Sequence, residues 1–444
     1  KIQDWDANKF VKGEVDTYYI GDDSISKENL KQYLEQSKFS VASNGVLYRT
    51  DEVGCIPGIL DLWFQKRVEY KNEMKKYGKA GNKEKYAFFH KRQLVQKILL
   101  NSLYGVLGLP AFRFYDVDNA TAVTTTGQTV IKSTADMANI KYNKELGNPD
   151  LDSNIYIDTD SVFFSAVPLM DKRIKDWKEQ DQDTIAGYVN DIAEEMQDYL
   201  NDFYDILSKK VFNVDKDKHR LEIKKEYVAK AGLWIAKKRY AQWIISDNGV
   251  PVDKLDVKGL DVKRSSFPKA FQECMGTVLI DILKGKSETE ISDYVLDFKK
   301  NMINRPTVEI AKNSAVKNLK KYMPKGKGKR ERFSIMKGTP AHVKAAILYN
   351  DCLKHFNAPF KYEPLKSGDK VKWVYLKDNP LGIDGLAFTG YKDPPEIEEF
   401  LATYIDHNKI FERELGHKLQ VFYDAIGWGD IISEQRTAEK FFNF

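Results

Sequence analysis

Apolar residues recur every three or four positions in two long stretches near the start of the chain, a spacing typical of amphipathic helices. The first predicted helix covers residues 60–77 and the second covers 83–107, and neither contains a proline. The intervening Gly78-Lys-Ala-Gly-Asn82 favours a turn. We therefore expect an antiparallel helical hairpin, and the same periodicity predicts a further long helix over 184–208.

A second pattern occupies residues 154–166, where two apolar, β-prone runs flank the tetrapeptide Asp158-Thr-Asp-Ser161. It predicts a β-hairpin with two carboxylates at its tip. Charged carboxylates are costly to desolvate without a cation, and oxygen ligands of this kind suit Mg²⁺. The alternative is a turn that contains aspartate only because aspartate favours turns.

Cationic and polar residues fall on one face of each predicted helix of the hairpin. Arg67 and Lys71 are four positions apart on the first, and Lys97, Asn101 and Tyr104 follow spacings of four and three on the second. A cation, an amide and an aromatic ring in one row can contact, in turn, a phosphate, a sugar or base edge, and a base pair. A solvated charged face is the alternative.

Strand patterns predict small sheets elsewhere in the chain. We expect two short strands around 41–56, strands within 221–245 and a short β segment at 371–375. In the second of these regions, period-two alternation places Lys238 and Tyr240 on one face, where lysines alternatively only protect a strand edge. An antiparallel sheet backed by helices is an α+β arrangement.

Composition narrows the function classes without identifying one. The 444 residues carry a net charge of +5, too small by itself to indicate nucleic-acid binding, but residues 317–332 form a basic run with a single acidic residue. Such a run can contact DNA phosphates, or it can be a surface loop that only helps to keep the protein soluble. Three widely separated cysteines argue against a zinc site or disulfide framework. No apolar run approaches the roughly eighteen residues needed to cross a bilayer, so we expect an intracellular protein without a membrane partner.

Two of these segments resemble known motifs. KILLNSLYG at 97–105 and YIDTDS at 156–161 are similar to the second and third polymerase motifs of family B DNA polymerases. Further segments occur in the family's order: SNGVLY at 43–48, NATAVTTTGQ at 119–128, KKRYA at 237–241, SSFPKA at 265–270 and ILYND at 347–351. The resemblance is strongest to replicative polymerases of T-even-type bacteriophages, which implies the cytoplasm of an infected bacterium.

The resemblance implies an α+β right-hand architecture with an antiparallel-sheet palm, a two-helix fingers hairpin and a mainly helical thumb. The palm would comprise residues 1–53 and 109–259, the fingers 54–108 and the thumb 260–444. It also implies attack of a primer 3′-hydroxyl on the α-phosphate of a dNTP, assisted by two Mg²⁺ ions, on primer-template DNA.

Individual residues take roles from the same resemblance. The implied metal ligands are Asp158, Asp160 and Glu226, the first two being catalytic together with Lys97. The implied nucleotide-binding residues are Arg67, Lys71, Lys97, Asn101 and Tyr104. The implied DNA contacts are Gly105, Lys238, Tyr240, Lys325, Lys327, Lys329 and Arg330.

The last ten residues, QRTAEKFFNF, end with three phenylalanines in four positions. Among them, Gln435, Phe441, Phe442 and Phe444 resemble the sliding-clamp-binding tails of the phage polymerases. A terminal helix packed on its own domain is the alternative.

One family motif has no counterpart. The first polymerase motif, Asp-x-x-Ser-Leu-Tyr-Pro-Ser, should precede Asn44 by several dozen residues, and Asp22-Asp-Ser-Ile-Ser26 imitates it only weakly. The exonuclease domain is missing as well. We therefore expect a polymerase fragment, or one part of a split polymerase whose separate amino-terminal chain supplies the motif. A non-catalytic fragment that binds primer-template and clamp is the alternative.

Overall fold

The computed structural model describes residues 1–322, 331–358 and 361–431. It divides the chain into two compact units, Lys1–Glu226 and Tyr227–Phe444. Within the described residues every strand pairing is antiparallel, and helices accompany small sheets of two or three strands. This mixture is consistent with the predicted α+β class.

The first unit contains seven strands and seven helices in its described residues. Strands β1–β3 form one sheet, and β4–β5 and β6–β7 form two-stranded ribbons. In chain order the elements are β1 (Ile2–Gln3), α1 (Ala7–Lys12), β2 (Thr17–Ile20), β3 (Asp23–Ser26), α2 (Lys27–Gln36), β4 (Phe39–Val41), β5 (Leu47–Arg49), α3 (Cys55–Lys79), α4 (Lys83–Leu107), α5 (Val117–Leu146), β6 (Asn154–Asp158), β7 (Ser161–Phe164), α6 (Val167–Arg173), a 3₁₀ turn (Trp177–Glu179) and α7 (Gln182–Phe212).

The predicted helical hairpin is confirmed as α3 and α4. Gly81 adopts a left-handed φ of 69° in the turn, and the Asn82 side chain caps α4 by accepting a hydrogen bond from the Lys85 amide at 3.0 Å. Aromatic contacts hold the two helices together, including Tyr77 stacked on Phe89 with ring centroids 5.6 Å apart. The hairpin buries little else, because α3 contains no buried residue and α4 only Leu107.

The predicted Asp hairpin and the predicted helix over 184–208 are also confirmed. In the first, β6 pairs with β7, Asp158 opposes Ser161, and Thr159 turns the chain with a φ of 59°. In the second, α7 packs Met196 and Leu200 against Tyr142 of α5. The 30-residue helix α5 has no counterpart among the predicted elements.

The strands predicted within 221–245 are confirmed from Tyr227 onward, as Tyr227–Ala236 and Arg239–Asp247. Residues 221–226 form no strand, because side chains of α7 bond their backbone: Asn201 bonds both the amide and the carbonyl of Ile223, and Gln197 accepts from the Lys225 amide. Asp23–Ser26 is a strand that pairs with β2.

The second unit has two three-stranded sheets, β8–β9–β10 and β11–β12–β13, packed with helices around a large core that includes Phe271, Tyr349 and Leu386. Strand β12 confirms the predicted β segment at 371–375. In chain order the elements are β8 (Tyr227–Ala236), β9 (Arg239–Asp247), β10 (Val250–Lys258), a 3₁₀ turn (Asp261–Lys263), α8 (Lys269–Leu283), α9 (Glu288–Asn301), a 3₁₀ turn (Met302–Asn304), α10 (Thr307–Ile310), β11 (Lys312–Ala315), a 3₁₀ turn (Leu319–Tyr322), α11 (Ala341–His355), β12 (Lys370–Tyr375), β13 (Gly385–Phe388), α12 (Pro395–Tyr404), α13 (His407–Ile410), a π-helical turn (Phe411–Gly416) and α14 (His417–Ile426).

The expected shared face of Lys238 and Tyr240 is wrong. Lys238 lies in the two-residue turn between β8 and β9 with a φ of 60°, so strand alternation does not extend through it. Tyr240 is only 4% exposed, and its ring stacks near Trp234.

Gly45 provides a stability test of the first unit. Its φ is 80°, its carbonyl accepts a hydrogen bond from the Ile2 amide, and a Cβ there would collide with the Ile2 carbonyl and with Trp5. We expect Gly45→Ala to lower the free energy of unfolding by about 2–4 kcal/mol in urea titrations, combining left-handed strain with overpacking. Gly21→Ala is the matched control: φ is 65° but the added methyl meets nothing, so we expect only about 1 kcal/mol. Equal losses would contradict the assigned collision.

Candidate functional site

A cleft of about 540 Å³ opens beside the tip of the Asp hairpin in the first unit. The hairpin contributes Thr159 and Asp160, and the extended segment after α7 contributes Arg220 and Glu222. Tyr204 of α7, the amino-terminal half of α5, and the β4–β5 ribbon with its loop also line the cleft. Their lining residues include Ala42, Tyr48, Ala122, Val123, Thr126 and Gly127.

The two aspartates of the hairpin lie two positions apart at its tight turn. The amide of Asp160 donates to the carbonyl of Asp158 at 2.7 Å, and the hydroxyl of Ser161 donates to the same carbonyl at 3.1 Å. The Thr159 hydroxyl donates to the Asp158 carboxylate at 3.1 Å. Asp160 is exposed and Asp158 half-buried, so the turn presents two oxygen-rich groups of like charge, an arrangement suited to a divalent cation.

The loop between β4 and β5 is fastened to the start of α5. The Ser43 amide donates to Thr126 Oγ1 at 3.1 Å, and Asn44 Nδ2 donates to the Asp118 carbonyl at 2.9 Å. The Tyr48 hydroxyl donates to Asn119 Oδ1 at 2.7 Å. The segments at 43–48 and 119–128 are far apart in the sequence, but these hydrogen bonds join them into one wall of the cleft.

Burial and nearby charges also affect the ionisation of Tyr48. Burial raises the pKa of its phenol, and the nearby carboxylates of Asp116 and Asp118 raise it further. The hydroxyl therefore remains protonated at neutral pH and serves as a hydrogen-bond donor.

Helix α3 brings Arg67 and Lys71 together, and Glu226 lies within electrostatic reach of Lys71. Desolvation lowers the pKa of Lys71, and the positive charges of Arg67 and Lys75 lower it further, whereas Glu226 opposes the change. Arg67 Nε is buried and has no hydrogen-bond acceptor in the described part of the chain. Crowded, incompletely neutralised cations of this kind favour an anionic ligand.

Helix α4 presents the other predicted residues to solvent. Lys97, Asn101 and Gly105 are exposed, and Tyr104 is 47% exposed. A Cβ at Gly105 would meet no atom within 4 Å, so the surface above it is open.

Some predicted residues lie outside the described residues, and some site residues were not predicted. Lys325, Lys327, Lys329, Arg330, Gln435, Phe441, Phe442 and Phe444 belong to the first group. Tyr48, Arg220 and Glu222 line the cleft without having been singled out. Of these three residues, only Tyr48 could have been found from the sequence, because it belongs to the family-like segment SNGVLY at 43–48.

Within the described ranges, no group of three or more His, Cys, Asp or Glu side chains is arranged to hold a metal ion. The turn at 158–160 therefore supplies two carboxylates rather than a full ligand set. No helix in the described part of the chain is both long and apolar enough to span a bilayer.

The sequence model of DNA polymerase family B matches residues 19–424. The DNA-directed DNA polymerase of Enterobacteria phage T4 is 28% identical over 348 residues, covering 76% of this chain and 37% of that protein. The corresponding enzyme of Escherichia phage RB69 is 28% identical over 349 residues, covering 75% and 37%. The DNA polymerase delta catalytic subunit of Candida albicans is 26% identical over 297 residues, covering 65% and 25%. The matched region thus spans little more than a third of the phage relatives.

The position of Glu226 predicts the titration of Lys71. We expect Glu226→Gln to lower the Lys71 pKa further, because it removes a carboxylate that stabilises the ammonium form. Lysine-selective NMR titration of the Nζ group measures this change. Glu73→Gln on the same helix is the control, since Glu73 pairs with Lys76 at 3.8 Å and is not among the groups that shift Lys71. An unchanged Lys71 titration in Glu226→Gln would contradict the proximity of the two groups.

Proposed function

Because the chain belongs to DNA polymerase family B, we propose that it forms the nucleotide-binding part of a template-directed DNA polymerase. The reaction is attack of a primer 3′-hydroxyl on the α-phosphate of a paired dNTP, with pyrophosphate leaving. The observation that carries the proposal is the combination, in one unit, of a two-carboxylate turn and a partly unneutralised cationic helix.

The carboxylates of Asp158 and Asp160 are the proposed Mg²⁺ ligands. Glu226, the other expected ligand, forms no three-ligand group with them in the described residues and instead lies within electrostatic reach of Lys71. Two carboxylates with open oxygen positions fit a magnesium ion that completes its shell with water and phosphate. Bound Mg²⁺ supplies Lewis-acid stabilisation of the reacting phosphate and lowers the pKa of the attacking hydroxyl.

The cations bind and orient the triphosphate. Arg67, Lys71 and Lys97 neutralise its charge and stabilise the negative charge that develops on the leaving pyrophosphate. The buried Nε of Arg67, which has no protein acceptor among the described residues, gains one when phosphate binds. Asn101 and Tyr104 border the nascent base pair, and the open surface at Gly105 admits the template backbone.

DNA contacts are proposed for the second unit. Lys238 lies exposed at the β8–β9 turn, where it can reach a phosphate. Tyr240 was predicted to touch the primer. Because its side chain is buried, a packing role for the ring should be tested first. Lys325, Lys327, Lys329 and Arg330 complete the proposed contacts, which would make DNA binding salt-dependent.

The right-hand organisation follows the same proposal. The palm comprises 1–53 and 109–259, α3 and α4 form the fingers within 54–108, and 260–444 form the thumb. Closure of α3 and α4 over a correct pair would assemble the site by induced fit.

The proposed site needs a further carboxylate. The described residues gather no three-ligand cluster, and the family's Asp-x-x-Ser-Leu-Tyr-Pro-Ser segment is not in this sequence. We propose that this aspartate comes from polypeptide outside these 444 residues, as in a split polymerase. The lack of a three-carboxylate cluster also favours the second candidate, a non-catalytic fragment that binds primer-template and clamp.

Reconstitution separates these two functions. We expect the full chain, mixed with an amino-terminal polymerase chain carrying the missing segment, to incorporate dNTPs on a primer-template. Asp160→Asn should abolish incorporation, because it removes a charged ligand, whereas Asp217→Asn at an exposed position should not. Absence of synthesis, or synthesis unaffected by Asp160→Asn, would support the non-catalytic candidate.

Lys97 tests the nucleotide site independently of turnover. We expect Lys97→Ala to weaken binding of a fluorescent dNTP to the chain with primer-template and Mg²⁺ by about 10- to 100-fold, the effect of losing one charged hydrogen bond. Its DNA affinity should remain nearly unchanged. Lys91→Ala, on another face of the same helix, is the control. Parallel loss of dNTP and DNA binding in Lys97→Ala would refute the assignment.

The tail is proposed to bind a sliding clamp through Gln435, Phe441, Phe442 and Phe444. Deleting 441–444 should remove stimulation by the clamp and leave unstimulated synthesis intact, because clustered phenylalanines near a chain end are typical of docking segments. Primer-extension assays with and without clamp measure both quantities. Loss of unstimulated synthesis would instead favour a tail that packs on its own unit.

A further inference from the structure

A basic concavity lies at the end of α3, where the chain turns into α4, and it is separate from the cleft beside the Asp hairpin. Its volume is about 560 Å³, and it is lined by the last two turns of α3 and the residue after them: Asn72, Lys75, Lys76, Lys79 and Ala80. All five residues are exposed. Three lysines that line one depression favour an anionic ligand.

These lysines continue a row of cations that begins at the proposed nucleotide site. Four cationic residues follow one another at four-residue spacing on α3: Arg67, Lys71, Lys75 and Lys79. Residues spaced in this way form one ridge along a helix, here about 18 Å long, which is longer than the three linked phosphates of a nucleotide. The charge of Lys75 lowers the pKa of Lys71. Among the lysines of the concavity only Lys76 has an ion pair in the described residues, with Glu73 at 3.8 Å.

The alternative role of these lysines is local. Cations in the last turn of a helix offset its dipole, and Lys76 and Lys79 lie in that turn. This role does not explain the charge of the whole region. Residues 75–92, here called the α3–α4 tip, contain seven lysines and arginines and a single acidic residue, Glu84, although the entire chain has a net charge of only +5. Positive charge concentrated on one element is typical of proteins that bind a phosphate backbone.

An aromatic ring lies beside the concavity. A Cβ on Gly78, the residue before Lys79, would be 3.2 Å from Cδ2 of Tyr86, so this ring rests against the end of α3. Tyr86 is nevertheless 41% exposed, and it stacks on His90 with ring centroids 6.1 Å apart. Proteins that bind single strands combine an exposed ring with neighbouring cations, because bases stack on the ring while the cations contact the backbone.

We propose that the α3–α4 tip binds single-stranded nucleic acid, with backbone phosphates along Lys75 and Lys79 and a base on the ring of Tyr86. A single strand fits better than a duplex, whose bases are stacked on one another and present no free face to Tyr86. It also fits better than a free nucleotide, because the ridge is longer than one triphosphate. This site is additional to the proposed nucleotide site and requires neither dNTP nor Mg²⁺.

Lysine-selective NMR of the full chain locates the bound strand. The probe is a twelve-nucleotide oligothymidylate, added in EDTA and without dNTP. We expect it to shift the Nζ signals of Lys75 and Lys79 and to leave those of Lys144 and Lys210 unchanged. The latter two are exposed lysines on α5 and α7. Unshifted Lys75 and Lys79 signals would overturn the proposal.

Fluorescence anisotropy of the labelled strand tests the charges, with unlabelled blunt duplex in excess to occupy the proposed duplex contacts. Combining Lys75→Gln with Lys79→Gln should weaken binding about tenfold or more at about 50 mM salt. It should also reduce the slope of log K against log salt by about 1.4, since each phosphate contact of a single strand contributes about 0.7. Combining Lys144→Gln with Lys210→Gln removes the same net charge and should change neither quantity. Equal effects of the two double variants would overturn the proposal.

Tyr86→Leu tests the ring in the same assay. It should weaken binding about fivefold or more and leave the salt slope unchanged, because leucine can still pack on Gly78 but cannot stack on a base. Tyr19→Leu is the matched control, since Tyr19 is a tyrosine of the first unit that is 49% exposed. Unchanged affinity in Tyr86→Leu would reject the stacked base and with it the preference for a single strand.

Three other ligands, followed by the same Lys75 and Lys79 signals, decide the ligand class. A blunt DNA duplex, dTTP and a polyglutamate peptide should each shift these signals much less than the strand does at equal concentration of negative charge. An equal shift would assign the tip to double-stranded DNA, to free nucleotide or to an acidic protein, and would reject the proposal. Since no measurement requires Mg²⁺ or dNTP incorporation, failure of this proposal is distinguishable from failure of the proposed polymerase function.

Discussion

Crowding of like charges on one face of α3 is the constraint on which the proposed site depends. Desolvation and the neighbouring charges of Arg67 and Lys75 lower the pKa of Lys71. In the same unit, the turn between β6 and β7 carries Asp158 and Asp160 two positions apart. The proposed function uses both features, with a polyphosphate at the helix and a divalent cation at the turn.

The first unit, which carries these charged groups, has only small cores. Its buried side chains fall into separate clusters, and α3 and α4 depend mainly on their own aromatic contacts. The second unit has a single large core. The difference has a physical meaning in the proposed function, because surfaces that bind nucleotide and template must stay open until those ligands arrive.

The sequence predicted the elements whose periodicity is strong and local. Helices α3, α4 and α7 and the Asp hairpin follow from spacing alone, and they place the predicted carboxylates and cations. It did not predict α5, since its run of threonines has low intrinsic helix preference. In the structure these threonines bond back to the preceding turn, as Thr125 does to the Thr121 carbonyl at 2.8 Å. Residues 221–224 alternate apolar and charged side chains but form no strand. The Asn201 side chain of α7 bonds the backbone of Ile223, a contact that alternation does not reveal.

The central claim is that the Asp hairpin and the cationic helices face one site. Paramagnetic relaxation measured by NMR on the full chain tests this claim most directly. Mn²⁺, which takes the oxygen ligands of Mg²⁺, would be titrated while the NMR signals of Lys71, Lys97 and Lys209 are followed; Lys209 pairs with Asp215 at 3.0 Å and serves as the reference. We predict that Mn²⁺ broadens Lys71 and Lys97 and spares Lys209, and that combining Asp158→Asn with Asp160→Asn removes the broadening. Unbroadened Lys71 and Lys97 signals, or broadening that survives in the double variant, would contradict the account.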